Sequence, residues 1–459
     1  MGPKIRHTLG RLLGHRKTSI LASRTANMKM ERTVSIEEEV DRLIDERTGR
    51  ELLNVPYDDE ALRIHERIYR SAGATASYLL DCGPTRVIVN AGMGFEAPHH
   101  KKLFGEIHSG PTDYIITTQG HVDHVGGVGQ FREPQTRYVA QRNNPRCQAD
   151  DKRIQTFRHS TALTWFPELP EKIGNLTRRY PDAKPVQDIP TPDVLFDERL
   201  KLKTGDMEIE LVHAPGGETI DSTIVWLPEW RVAITSNLFG PLFPHFPNFN
   251  TLRGDLYRFP VPYLENVDRV RALEPRVLVT GRGLPIEGAE LIDASLARMR
   301  GAVDYVHKRT LELINEQKDP YEIMRSVELP PELRVGQGYG KVSWAARTIF
   351  EEYTGWFQRR SSADLYAMDP AQSTQILAAE LEPDAVLNLA QKSLDSGDVP
   401  TAIRIAEALL ANQDHLGAKK LMLTAHEKLL EQGSESFWEY GWLLSEASRW
   451  KSEVEKTGQ

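Results

Sequence analysis

With 459 residues the chain is too long for one ordinary core, and at roughly 100–200 residues per domain two or three domains are expected. An apolar content of 40%, a charged content of 27% and a net charge of -8 exclude a disordered, collagenous or membrane-embedded chain, and no basic excess points to nucleic acid. The two cysteines, Cys82 and Cys147, lack any CxxC spacing, which excludes a disulfide framework and a zinc knot; both read as reduced thiols.

The chain starts basic, through Lys4, Arg6, Arg11, Arg16, Lys17 and Arg24. The apolar stretches between these charges are too short for a signal-peptide core or a membrane span, so a cytoplasmic protein without membrane attachment is expected. An acidic helix follows over residues 35–45 with Ser35 as its N-cap, and residues 1–60 read as an N-terminal extension. Residues 76–80 and 86–90 are β-rich runs around the turn signal Cys82-Gly83-Pro84, which predicts a hairpin. The run 114–118 predicts a strand that delivers a His/Asp cluster to a loop. Further strands are expected over 201–203, 207–212, 222–227, 232–235 and 277–280, with helical segments between them, an alternation that indicates a layered αβ/βα domain. After about residue 290 the pattern turns helical: a long helix over 291–315, breaks at Pro320, Pro330-Pro331 and Gly336, Gly338 and Gly340, then helical hairpins over 385–396, 400–411 and 417–431.

The chemistry-bearing segment is Thr117-Thr118-Gln119-Gly120-His121-Val122-Asp123-His124-Val125-Gly126-Gly127. Two imidazoles and a carboxylate within four residues at a strand end supply nitrogen and oxygen donors suited to zinc, iron or manganese. The segment resembles the HxHxDH motif of the metallo-β-lactamase superfamily. Pro215-Gly216-Gly217-Glu218 is similar to the PGTE segment of alkyl sulfatases, and Pro247-Asn248-Phe249-Asn250-Thr251-Leu252-Arg253-Gly254 to their PNLYTLRG segment. Residues 305–326, 328–333 and 349–357 resemble the alkyl sulfatase dimerisation domain.

The resemblance implies an α/β fold, a metallo-β-lactamase αβ/βα sandwich forming a catalytic domain over residues 61–300, followed by an all-α helical dimerisation domain over 301–459 and hence a homodimer. It implies metal ligation by His121, Asp123, His124 and Glu218 with Gln119 beside them, Asp123 as a catalytic group, and Asn248 and Arg253 on the anionic part of the substrate; Arg282, from its fixed charge, is read as a further catalytic group that pairs with an anionic oxygen. The family's third, sterol-carrier-like domain is not among these residues, so long-chain detergents are not expected substrates.

Four positions depart from the superfamily pattern. Gln119 replaces the first histidine, Ser236 in Thr235-Ser236-Asn237 replaces a bridging carboxylate, Arg282 in Gly281-Arg282-Gly283 replaces the histidine of GHG, and Asn90 replaces the aspartate of DTG. Glutamine and serine are weak neutral donors, and arginine has no lone pair and a permanent charge. One divalent metal per chain, zinc or iron with manganese as a further option, is therefore expected instead of two. His213, His245 and Ser236 are further candidates for a ligand or a group behind the ligands. His99-His100 beside Lys101-Lys102 reads as a solvated face, and Phe239, Phe243, Phe246 and Phe249 as packing or the wall of an apolar pocket.

The first functional expectation is a metal-dependent hydrolase of a sulfate ester or a related small, anionic or partly apolar ester. The alternatives are a mononuclear, iron-type oxygenase or lyase on the same fold, and a non-catalytic binding protein.

Overall fold

A computed structural model of the chain describes residues 34–47, 49, 53, 57–183, 186–249 and 252–457. The basic residues from Lys4 to Arg24, and Asn250 and Thr251 of the PNLYTLRG-like stretch, lie outside these. The acidic helix is Ile36–Glu46, as its charge pattern and N-cap predict.

Two sheets face each other. The first runs in chain order: β1 (Leu62–His65), β2 (Ile68–Ser71), β3 (Ser77–Asp81), β4 (Arg86–Val89), β5 (Thr112–Ile116), β6 (Arg137–Gln141) and β7 (Val194–Phe196). Its first four strands are antiparallel neighbours, and from β4 onward the pairs are parallel. The second sheet contains β8 (Arg199–Thr204), β9 (Met207–His213), β10 (Thr223–Leu227), β11 (Val232–Ser236), β12 (Val277–Thr280) and β13 (Ile286–Glu287), in the order β13-β12-β11-β10-β9-β8. The expected hairpin is β3–β4, and the five strands expected in the second half are β8 to β12. Strands β1, β2, β6, β7 and β13 carry too short or too polar a pattern to stand out in the sequence.

Period-two alternation divides each strand between two apolar layers. Tyr78, Leu80, Val87, Val89, Ile116 and Val139 meet Ile209, Leu211, Val225, Leu227, Ile234 and Val279 between the sheets. The outer face of the first sheet carries Leu79, Ile88, Ile115 and Tyr138 against Phe104, Val128 and Phe131 of short helices. The outer face of the second presents Val212, Ile224 and Leu278 to the helices Pro260–Ala272, Ala289–Asn315 and Val342–Thr354. This is the αβ/βα sandwich. The expected long helix is Ala289–Asn315, and it belongs to the same apolar core as the second sheet although the 300/301 division falls within it.

Beyond it the chain is helical, with Gln372–Ala379, Pro383–Asp395, Val399–Asn412, Leu416–Glu431 and Phe437–Thr457 closing the chain. The last of these was not foreseen; its Trp438 packs edge-on to Trp165 and lies beside Tyr339. No helix among the described residues is long and apolar enough to cross a membrane.

The pair His99-His100 corrects the sequence reading. Both rings are fully buried in the helix Ala97–Ile107, whereas Lys101 and Lys102 are exposed. Helical spacing puts His99, His100, Leu103 and Phe104 on one inward side, where Ser71 Oγ lies 2.7 Å from His100 Nδ1 and the Tyr180 hydroxyl 2.8 Å from His99 Nδ1.

Candidate functional site

The C-terminal ends of β4, β5, β9, β11 and β12 deliver the candidate side chains to one end of the sandwich. Two non-glycine residues there occupy the left-handed region, Asn90 after β4 at φ 58° and Ser236 ending β11 at φ 49°. They are joined: Asn90 Nδ2 donates to Ser236 Oγ at 3.2 Å, while Asn90 Oδ1 accepts from the Thr118 amide at 2.9 Å and the Thr118 hydroxyl at 3.1 Å. Such backbone conformations persist only where the surroundings over-determine them, and this network ties the ends of β4, β5 and β11 together. Gly120 is required at the bend between Gln119 and His121, because a Cβ there would meet Cys147 Cβ at 2.8 Å and the Asn144 carbonyl at 2.9 Å.

Within the β5 loop each candidate donor has a protein partner. The Gln119 amide nitrogen lies 2.8 Å from His121 Nδ1, so the neutral ring of His121 carries its proton on Nε2. The Thr118 hydroxyl, which donates to Asn90, accepts from His124 Nδ1 at 3.2 Å. The remaining lone pair of His124, on Nε2, faces Asn237 Nδ2 at 3.2 Å. Asp123 Oδ2 accepts from the Thr75 hydroxyl and lies 3.8 Å from His124 Nε2. Burial pushes His124 down to about 4 and keeps it neutral. Burial alone would raise the Asp123 carboxyl, but His124, His121, the Thr75 hydroxyl and Arg282 outweigh it and hold the group at about 2.

Glu218 lies on the other side, and Arg258 Nη2 donates to its Oε1 at 2.6 Å. Arg258, the largest fully buried side chain among the described residues, also reaches the Tyr339 hydroxyl at 3.1 Å and Asp255 Oδ2 at 3.5 Å. Asp255 Oδ1 in turn accepts from Arg158 and Arg253, each at 3.0 Å. Three guanidiniums thus face two carboxylates. Burial raises the Glu218 carboxyl, and Arg258 pulls it back only in part. Asp255, with three cations around it, stays well below the usual carboxylate range despite its burial. Arg253 also lies over the Trp438 ring at 5.3 Å, so it braces its loop as well as pairing with Asp255. Asn248 is buried with no hydrogen-bond donor facing its Oδ1, and its backbone carbonyl accepts weakly from Arg258.

Arg282 enters from β12. Its Nη1 donates to the Gly73 carbonyl, its Nε is buried without an acceptor, and Asp123 and Glu96 are its nearby negative charges. Glu96 is itself buried and held by the Tyr57 hydroxyl at 2.8 Å and the amides of Ala74 and Met93.

Two further candidates lie away from this centre. His213 Nε2 pairs with the Ile220 carbonyl at 2.8 Å and braces the turn before β10. His245 corrects the extra-ligand expectation: its Nε2 donates to the Arg47 carbonyl and its Nδ1 accepts from the Gly338 amide at 3.0 Å, so both nitrogens are used in clasping three chain segments. Phe239, Phe243, Phe246 and Phe249 are packed with Tyr263 in the core. A small cavity of about 40 Å³ opens beside His121, lined also by Arg158, Thr219, Asp255 and Tyr257.

The metal expectation can be tested on these contacts. A ligand must direct a free lone pair at the ion. Here His124 Nε2 faces Asn237, one oxygen of Asp123 accepts from Thr75, one oxygen of Glu218 accepts from Arg258, and His121 Nδ1 faces Gln119. Among the described residues no three His, Cys, Asp or Glu side chains converge to hold an ion. The residues as arranged do not fit the single metal.

Sequence reasoning missed Arg258, Asp255, Arg158, Thr75, Glu96 and the role of Asn237. Asp255 follows Gly254 directly and Arg258 comes three residues later, so the quoted family stretch ended just short of them. Arg158 sits on a largely exposed helix, Gln155–Trp165, and carries no local signal.

Residues 319–452 match the alkyl sulfatase dimerisation family. The chain is 29% identical over 261 residues to a linear primary-alkylsulfatase of Pseudomonas sp. (strain ATCC 19151), covering 55% of this chain and 49% of the relative. It is 24% identical over 263 residues to the alkyl/aryl-sulfatase BDS1 of Saccharomyces cerevisiae, covering 55% and 40%. The matches thus span about 38–51% of the length of the curated relatives. The solved structure of the stereoselective inverting sec-alkylsulfatase Pisa1 from Pseudomonas sp. shares its fold, with a TM-score of 0.72 at 18% identity over 86% of this chain and 66% of that one. The chain is similar to the alkylsulfatases, an αβ/βα sandwich followed by helices that match the alkyl sulfatase dimerisation family over residues 319–452.

Proposed function

We propose that the chain hydrolyses a sulfate ester or a related small anionic ester. The observation that carries the proposal is the meeting of His121 with Arg158 and Asp255 at one cavity, Asp255 pairing in turn with Arg253 and Arg258 behind it, in a chain whose relatives are alkylsulfatases. Planar guanidinium forks suit sulfate oxygens. Arg253 and Asn248 hold the anionic group in this reading. Asp123, kept ionised, takes a proton from the attacking water as the ester bond breaks, and passes it to the departing oxygen. His121, with its proton on Nε2, gives a hydrogen bond to an ester oxygen, and Arg282 stabilises the charge that develops. The modest size of the cavity favours a small substrate.

In the same proposal residues 61–300 form the catalytic domain, residues 301–459 the helical domain of a homodimer, and the protein works in the cytoplasm without nucleic acid or membrane partners. Supporting the dimer, Tyr353, Trp356, Tyr366, Ile376 and Leu377 are large apolar side chains exposed on one stretch of the helical region. Supporting the reducing compartment, Cys82 and Cys147 are buried free thiols.

The experiment is sulfate release from a panel of short alkyl and aryl sulfates, with wild type and Asp123→Asn. Turnover in wild type that disappears in Asp123→Asn is the expected result. No release from any ester, with or without added zinc, sinks the hydrolase. The capped donors favour one second reading, a non-catalytic binder of anions: sulfate would then raise the melting temperature of a protein that turns nothing over. The iron-type oxygenase or lyase rests on His121, Asp123 and His124, the same donors that have partners already.

A further inference from the structure

We infer that this centre carries no resident metal and that the Arg282 guanidinium is its built-in cation. The inference stands on contacts, independent of whether the chain is a hydrolase.

Four candidate ligands are committed in different ways that agree. Glu218 is neutralised by Arg258 at 2.6 Å. Asp123 Oδ2 receives the Thr75 hydroxyl, and Thr75 Oγ1 is also 3.2 Å from His124 Nε2, so one hydroxyl sits where an ion shared by these two side chains would have to be. His124 Nε2 receives the Asn237 amide at 3.2 Å, and its Nδ1 is fixed as a donor by the Thr118–Asn90 relay. His121 has its Nδ1 lone pair on Gln119. Placing a metal would mean breaking several of these hydrogen bonds in a buried setting, where each unpaired group costs about 1–3 kcal/mol.

Charge argues the same way. Arg282 lies in the electrostatic field of both Asp123 and Glu96 and supplies the positive charge that these buried acids need. A dication close to it would be repelled by several kcal/mol even at an effective dielectric of about 20. Unlike a metal, the guanidinium keeps a buried N–H, its Nε, without an acceptor, and that is a donor for an anionic oxygen.

The test is elemental analysis of untagged protein purified without chelators, with melting temperature as a second readout. Zinc, iron and manganese far below one ion per chain, and a melting temperature unmoved by zinc or by a chelator, are the expected results. Arg282→His removes the resident charge and adds a ligand beside Asp123 and His124, and it should bind zinc and gain a zinc-dependent rise in melting temperature. Wild type that holds one or more ions per chain overturns the inference, as does wild type that zinc stabilises at micromolar concentration. A folded Arg282→His that stays metal-free overturns the assignment of Arg282 as the resident cation, because the committed donors alone would then exclude the ion. If that variant does not fold, the wild-type ion content decides alone. None of these readings depends on turnover, so a failed sulfate-release assay leaves the inference standing, and a metal found in the wild type leaves the hydrolase proposal standing.

Discussion

The Glu218 carboxylate accepts a hydrogen bond from Arg258 at 2.6 Å, and both side chains are at most 4% exposed. A pair this deep adds little net stability while intact, because desolvation offsets the attraction, yet removing one member strands the other. Arg258→Met leaves Glu218 and one side of Asp255 without their cation and should destabilise the chain by about 3–5 kcal/mol, read from the shift of the urea midpoint. Replacing both Arg258 and Glu218 with methionine should recover part of that loss. A single variant that unfolds at the wild-type midpoint would show that the pair is not formed.

Arg253 has two roles to separate. It pairs with Asp255 at 3.0 Å and lies over Trp438, so Arg253→Ala should lower stability by about 1–3 kcal/mol through those contacts. If it also holds the anionic group, kcat/KM for a sulfate ester falls further than the melting change explains. Arg253→Lys then keeps the charge but still raises KM, because an ammonium cannot present the planar fork. Full activity in Arg253→Ala would reject the substrate role.

His99 and His100 give a pH signature. Burial holds them down to about 4 and about 3, from an ordinary 6.5. The unfolded chain takes up protons at these rings below about pH 6.5, whereas the folded chain resists until its own lower values. Their stabilisation is therefore present above about pH 6.5 and is lost as pH falls through the folded values. Each ring contributes a slope of up to about 1.4 kcal/mol per pH unit. Unfolding free energy measured between about pH 6 and 4 should fall less steeply in His100→Gln than in wild type. Parallel curves would mean that the His100 ring is protonated in the folded protein.

The dimer proposal is checked by light scattering. Trp356 and Leu377 are 69% and 67% exposed, and an obligate interface of at least about 2,000 Å² would cover such residues. Replacing both with glutamate should shift the mass at micromolar concentration from dimer to monomer while the far-UV spectrum is retained. A wild-type monomer at that concentration ends the proposal.

Much of the architecture was legible in the sequence. The runs that became β4, β5 and β9 to β12 are rich in valine and isoleucine, those that became β3 and β8 are set off by the turns beside them, and the helix Ala289–Asn315 has an uninterrupted 3.6-residue pattern. The His/Asp loop after β5 was legible too, since its residue types and the preceding strand sit side by side in the chain. Local sequence also showed that Gln119, Ser236 and Arg282 are poor ligands.

What each lone pair faces is decided by residues distant in the chain, so only the tertiary structure could settle it. Thr75 reaches Asp123 across 48 positions, Asn237 reaches His124 across 113, and Arg282 reaches Gly73 across 209. The same holds for His245, which reads as a loop histidine until the segments carrying Arg47 and Gly338 close on its two nitrogens. Periodicity and propensity act over a few residues and specify elements. A buried polar group is specified by whichever partner the packed fold brings within about 3 Å of it, because unpaired polar atoms are too costly to bury.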